Sequence, residues 1–158
     1  MRILLGLTVC AYMLHAAVAV VGQAARPMEF PLPPGVAWAP NPALPPGGQL
    51  AVLVGSLQAT GLYAARVGFA PGLRVMPHWH PEERLYTVLS GTWLIGLGDR
   101  FDESQLTAFP VGTVYRLPAA TRHYHWARDG ASVVQITGIG PSATNYVNPQ
   151  DDPRIPAR

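Results

Sequence analysis

From residue 49 onward the chain is a series of short apolar runs closed by Gly, Pro or Asp. The runs are QLAVLVGS (49–56), GLYAARVGF (61–69), LRVMPHWH (73–80), RLYTVLSG (84–91), TWLIGLG (92–98), SQLTAFP (104–110), TVYRLP (113–118), HYHWA (123–127) and SVVQITGI (132–139). They are rich in Val, Leu, Tyr and Thr, which suit a pleated and half-buried surface, and the turns between them recur about every ten residues. No helical periodicity of comparable length follows the first residues of the chain. The pattern predicts an all-β domain over 49–140, a sandwich or a barrel.

The flanks differ. The opening MRILLGLTVCAYMLHAAVAVVGQAARP joins a positive start at Arg2 to an apolar stretch over 3–21 and then small residues before a proline. This reads as a secretory signal peptide over 1–24, cleaved after Ala24 or near Ala19, and it places the protein in the periplasm or outside the cell. An uncleaved membrane anchor and lipid attachment at Cys10 are the alternatives. Residues 25–48 are dense in proline, which removes backbone donors and fixes φ, so they predict an extended arm with Phe30, Leu32 and Trp38 as apolar anchors. The tail, 141–158, has turn chemistry without a strand pattern, and Tyr146 and Val147 are its packing residues.

Composition narrows the chemistry. A chain of 158 residues with 49% hydrophobic and 13% charged residues is one globular domain. All eleven basic residues are arginines, which excludes lysine Schiff bases and lysine general bases. Cys10 is the single cysteine and lies in the leader, so disulfides and thiolate metal sites are excluded from the mature protein. The arginines are scattered singly, which argues against a nucleic-acid partner. After cleavage no membrane contact is expected.

Four of the five histidines form two pairs, His78 and His80 in HWH, and His123 and His125 in HYH. Residues i and i+2 of a strand point to one face, so each pair can present two imidazoles side by side. One such pair on an exposed strand face means little. Two pairs in a chain whose only other histidine is His15 point to a metal site, and Glu82 and Glu83 follow closely enough to add a carboxylate. A mixed nitrogen and oxygen set suits one divalent transition metal, Fe, Mn, Zn, Co, Ni or Cu.

These residues resemble the two motifs of the cupin family. Gly72, LRVMP, His78, Trp79 and His80 reproduce the first half of G(X)5HXH(X)3,4E(X)6G, and Gly112, TVYRL, Pro118 and His123 follow G(X)5PXG(X)2H(X)3N. The resemblance covers about residues 49–140, and the surrounding wording is similar to that of small exported single-domain bacterial cupins. It implies a jelly-roll barrel of six to eight strands with one metal in its mouth, held at His78, His80, His123 and a glutamate. The glutamate is out of register, because counting back from Gly91 puts Arg84 at the ligand position and Glu83 one residue early.

Three completions remain open: Glu83 brought in by a tightened turn, His125 as the alternative ligand, or a three-histidine site with open positions. An inward Arg84 would instead oppose the metal and favour a carboxylate ligand. Ala120 and Ala127 replace the glycine and asparagine of the second motif, which loosens that turn. Trp79 and Tyr124 alternate with the histidines and are expected to fill the space between the sheets or a dimer face.

Three readings follow. One is a metal-dependent enzyme, such as an oxygenase or isomerase, acting on a small organic molecule in a barrel lined by Met76, Tyr86, Trp93 and Gln135. Its general base would be Glu82, Glu83, a spare histidine or metal-bound hydroxide. The second is a non-catalytic binding or sensory module that holds a metal or small ligand, and the third is a metal-free structural barrel; a homodimer is compatible with each.

Overall fold

The computed structural model describes residues 35–156. The leader over 1–24, the start of the arm with Phe30 and Leu32, and residues 157–158 lie outside the described residues. The nine apolar runs fold as nine strands: β2 (Gly48–Val54), β3 (Gly61–Phe69), β4 (Arg74–Trp79), β5 (Arg84–Ser90), β6 (Trp93–Leu97), β7 (Thr107–Phe109), β8 (Val114–Leu117), β9 (His123–Trp126) and β10 (Ser132–Gly140). Two further strands of two residues each, β1 (Ala39–Pro40) and β11 (Asn145–Tyr146), come from the arm and the tail. The described residues therefore hold eleven strands, more than the six to eight of the expected barrel.

The strands form two antiparallel sheets, ordered β1-β2-β3-β10-β5-β8 and β11-β4-β9-β6-β7. Each sheet turns one face inward, and the alternation of side chains decides what enters. In β10, Val134 and Ile136 are buried while Val133 and Gln135 are not. Gln135 therefore sits on the outer face of β10 and does not line the interior. In β5, Arg84, Tyr86 and Val88 are buried while Leu85 and Leu89 are exposed. Tyr63, Phe69, Val75, Tyr86, Trp93 and Ile136 fill the core, each worth about 1.5–3 kcal/mol if fully buried. The two buried polar edges are matched, since Trp93 Nε1–H donates to the Tyr115 hydroxyl at 2.9 Å and the Tyr115 and Tyr86 rings stack at 4.8 Å.

Tyr124 goes elsewhere. Its strand position turns it away from the space between the sheets, onto the outer side of Gly96, where a Cβ would lie 2.2 Å from its ring. Phe101 covers it at 5.0 Å, and its hydroxyl donates to the Asp102 carbonyl at 2.9 Å. Trp79 is half-buried on the same outer side of its own strand.

The arm and the tail lie on the sheets. β1 pairs with β2, with Ala39 opposite Leu50, and Leu44 packs against the core. β11 pairs with β4, with Tyr146 opposite His78. Two residues are too few to show an alternation, so this strand left no pattern in the tail. Among the described residues no helix is long and apolar enough to cross a membrane.

The turn before β9 is tighter than its sequence suggests. Ala120 has φ 59°, the one left-handed non-glycine backbone among the described residues, and it stands where the second motif has glycine. Its N–H donates to the His80 carbonyl at 2.8 Å, so the turn joins the two histidine segments. A left-handed L-residue costs roughly 1–2 kcal/mol, partly offset by the greater chain entropy of glycine when unfolded. Ala120→Gly is expected to raise stability by about 0.5–1 kcal/mol, read from the urea midpoint at unchanged slope.

Candidate metal centre

β4 and β9 are neighbours, and their register brings the two histidine pairs together. His78 lies directly opposite His123, and Val75 lies opposite His125. Three steps along β4 match two along β9, so β4 carries one extra residue between Val75 and His78. Pro77 occupies this bulge, where its missing N–H breaks the ladder. Strict alternation would send Val75 and His78 to opposite faces, and the bulge turns both inward. Met76 lies within it, half-buried, outside the wall of the interior cavity.

The result is a buried cluster. Ligand nitrogens of His78, His123 and His125 all lie within 4.8 Å of one another. Their rings are 4.2 Å apart for His78 and His123, and 4.9 Å for His123 and His125. His80, just past the end of β4, stands beside them with its ring 5.1 Å from those of His78 and His123.

Backbone carbonyls set the tautomers. His78 Nδ1 lies 2.8 Å from Met76 O, His80 Nδ1 2.8 Å from Ala143 O, and His123 Nδ1 2.9 Å from Thr121 O. A carbonyl only accepts, so each Nδ1 carries the proton and each Nε2 keeps its lone pair. A carbonyl on Nδ1–H fixes the ring and aims Nε2, as it does in metal-ligating histidines. The Nε2 of His123 is buried with no hydrogen-bond partner. Burial pushes all four imidazoles below their ordinary 6.5, His123 to about 4 and the others well below. For His78 and His125 the neighbouring His123 adds to burial, and for His80 the charge of Arg84 does. Neutral imidazoles with inward lone pairs are the donor set a divalent transition ion requires.

The carboxylate expected to complete the set is elsewhere. Glu83 is exposed, and its carboxylate lies 3.5 Å from Arg116 Nη1 on the outer surface. The reason is strand parity, because Arg84 is the inward residue at the start of β5 and its neighbour must face out. Arg84 therefore occupies the wall of the interior, 6% exposed. Its Nε–H donates to Glu82 Oε1 at 2.6 Å, and its Nη2 donates to Ser142 Oγ at 2.6 Å. Glu82 Oε1 also accepts from the Tyr63 hydroxyl at 2.8 Å. Gly138, opposite Tyr63, makes room for that phenol, since a Cβ there would lie 2.7 Å from its oxygen.

Tyr63 and Ser142 lie 19 and 58 residues from the partners they bind, so nothing local in the sequence marked them. The cluster opens into a cavity of about 600 Å³. Phe69, Trp93, Val134 and Ile136 form its apolar wall, His78, His80, His125 and Arg84 its polar one, and residues 39–44 of the arm lie along its rim.

No protein-family model matches the chain. Germin-like protein 3-1 of Oryza sativa subsp. japonica is 30% identical over 105 residues, covering 62% of this chain and 47% of that protein. The chain thus spans about half the length of this relative. The polyketide cyclase RemF from Streptomyces resistomycificus superposes with a TM-score of 0.62 at 16% identity, covering 75% of this chain and 84% of that one. An RmlC-like cupin from Shewanella frigidimarina superposes with a TM-score of 0.56 at 14% identity, covering 72% and 91%. The chain has the cupin fold.

Within the cupin pattern, this chain keeps the histidines of both motifs and replaces the glutamate by arginine. His125, which neither motif specifies, stands in the nitrogen cluster that the glutamate leaves incomplete. Burial of these imidazoles in neutral form couples stability to pH. Between the ordinary histidine pKa and the depressed folded values the unfolded chain binds protons that the folded protein does not, so stability falls as pH falls. Each unit of depression is worth about 1.4 kcal/mol. The chelator-treated protein is expected to lose stability steadily below about pH 6.5 and on toward pH 4, with urea midpoints as the readout. A midpoint constant over that range would contradict the buried neutral cluster.

Proposed function

We propose that this cupin holds one divalent transition metal, Fe, Mn, Zn, Co, Ni or Cu, on His78, His123 and His125, and acts on a small organic molecule held in the barrel. The observation that carries this reading is the convergence of three buried imidazoles, two of which leave a nitrogen with no hydrogen-bond partner, Nε2 of His123 and Nδ1 of His125. A bound ion would supply Lewis-acid polarisation of a substrate oxygen. The remaining work falls to the protein. The aromatic and aliphatic wall of Phe69, Trp93 and Ile136 excludes water and holds an apolar body.

His80 is the imidazole left free to accept a hydrogen bond in the cavity. Its Nδ1–H is committed to the Ala143 carbonyl, which leaves Nε2 as the basic atom, and it stands outside the group of three close nitrogens. Glu83 is on the outer surface and Glu82 is bound to Tyr63 and Arg84, so neither carboxylate competes for that role. The cyclase named among the structural relatives supports an enzymatic reading over an inert barrel. The leader-like residues 1–24 support export to the periplasm or beyond.

Elemental analysis of untagged protein is expected to find close to one transition metal per chain. His78→Ala and His123→Ala should each reduce it to background, whereas Glu83→Ala should leave it unchanged. Failure of the wild-type protein to retain any of the six ions after loading and desalting would overturn the reading.

A further inference from the structure

We propose that Arg84 is an anion receptor and that the cavity takes a small carboxylate with an apolar body, an inference resting on the reading that a small organic molecule occupies the barrel. The first ground is the charge of the wall. Arg84 and three imidazoles line the cavity, Arg154 does so while paired with Asp152 at 2.7 Å, and no Asp or Glu is among the residues that line it. Neutral imidazoles leave the charge of a bound cation undiminished, and Arg84, whose counter-charge Glu82 stands behind the wall, presents its guanidinium to the same space. An anionic ligand answers both.

The second ground is how the guanidinium is held. Glu82, the counter-charge of Arg84, takes its Nε–H and stands outside the cavity wall. Tyr63 donates to the same carboxylate oxygen from the other side, and Ser142 accepts from Nη2, with the Ala143 carbonyl a further acceptor at 3.5 Å. Tyr86 also lines the cavity, and the charge of Arg84 acts on its hydroxyl. Arg84 is thereby fixed through its inner edge while it forms part of the cavity wall, and a planar guanidinium matches a carboxylate. The rest of the wall is Leu50, Val67, Phe69, Trp93, Val134 and Ile136, which would surround an alkyl or aryl body.

The test compares phenylacetate and hexanoate with their neutral amides, by calorimetry, on chelator-treated and on metal-loaded protein. Each carboxylate should bind about ten- to a hundredfold more tightly than its amide in both forms. Arg84→Gln should reduce that preference to within about threefold. Because the single change leaves Glu82 buried without its cation, Glu82→Gln/Arg84→Gln is measured beside it, with near-ultraviolet circular dichroism to verify folding.

Equal binding of carboxylate and amide by the wild type, or no binding of either acid at millimolar concentration, would overturn the proposal. So would a preference that survives in the folded double variant. A preference confined to the metal-loaded protein and indifferent to Arg84 would overturn it while leaving the metal reading intact. Preference in the chelator-treated protein alongside failed metal retention would sink the metal reading and uphold this one.

Discussion

The site depends on the pairing of β4 with β9. Antiparallel register fixes His78 against His123, and the bulge at Pro77 gives β4 the extra residue that brings Val75 and His78 to the same inner face. The short ring distances, the burial of the imidazoles and their neutral charge state follow from that local break in alternation. The loop carrying Thr121 and the tail carrying Ala143 then supply the carbonyls that hold the rings in place.

A second constraint acts across the cavity. Arg84 and Glu82 are both nearly buried, with side chains 7% and 9% exposed, at a separation of 2.6 Å. Burying two charges is expensive, and removing one partner from such a pair costs about 3–5 kcal/mol, because the other is left desolvated and alone. Tyr63 and Ser142 share the load by hydrogen-bonding to the pair. A pair of this kind is a poor way to gain stability when an apolar pair would serve. Arg84 nevertheless lies in the wall of the cavity, beside His78, His80 and His125, while Glu82 stands behind it.

The arm and the tail complete the enclosure. Tyr146 pairs with β4 opposite His78 and donates its hydroxyl to the Ala43 carbonyl at 2.9 Å, which ties the two ends of the described chain together over the cavity. The same tail contributes Ser142 and Ala143, which hold Arg84 and His80. Segments that look peripheral in the sequence thus supply hydrogen-bond partners to the cluster.

The sequence by itself determined the strands, the fold and the histidine pairs. Apolar runs punctuated by Gly and Pro fix strand identity locally, and spacing of two residues fixes a shared face, so all four imidazoles could be named in advance. It also exposed the misfit at Arg84, since counting from Gly91 needs no structure. Only the tertiary structure decided what that misfit means. Strand parity at the start of β5 sent Glu83 to solvent beside Arg116 and turned Arg84 inward, and whether the turn after Pro81 would reverse that parity depends on partners tens of residues away. The same holds for Gln135, whose face follows from where β10 pairs with β3 and β5, and for Tyr63 and Ser142, which join the site solely through contacts between distant strands and loops. Local pattern fixes which residues share a face; long-range pairing fixes which face is the inside.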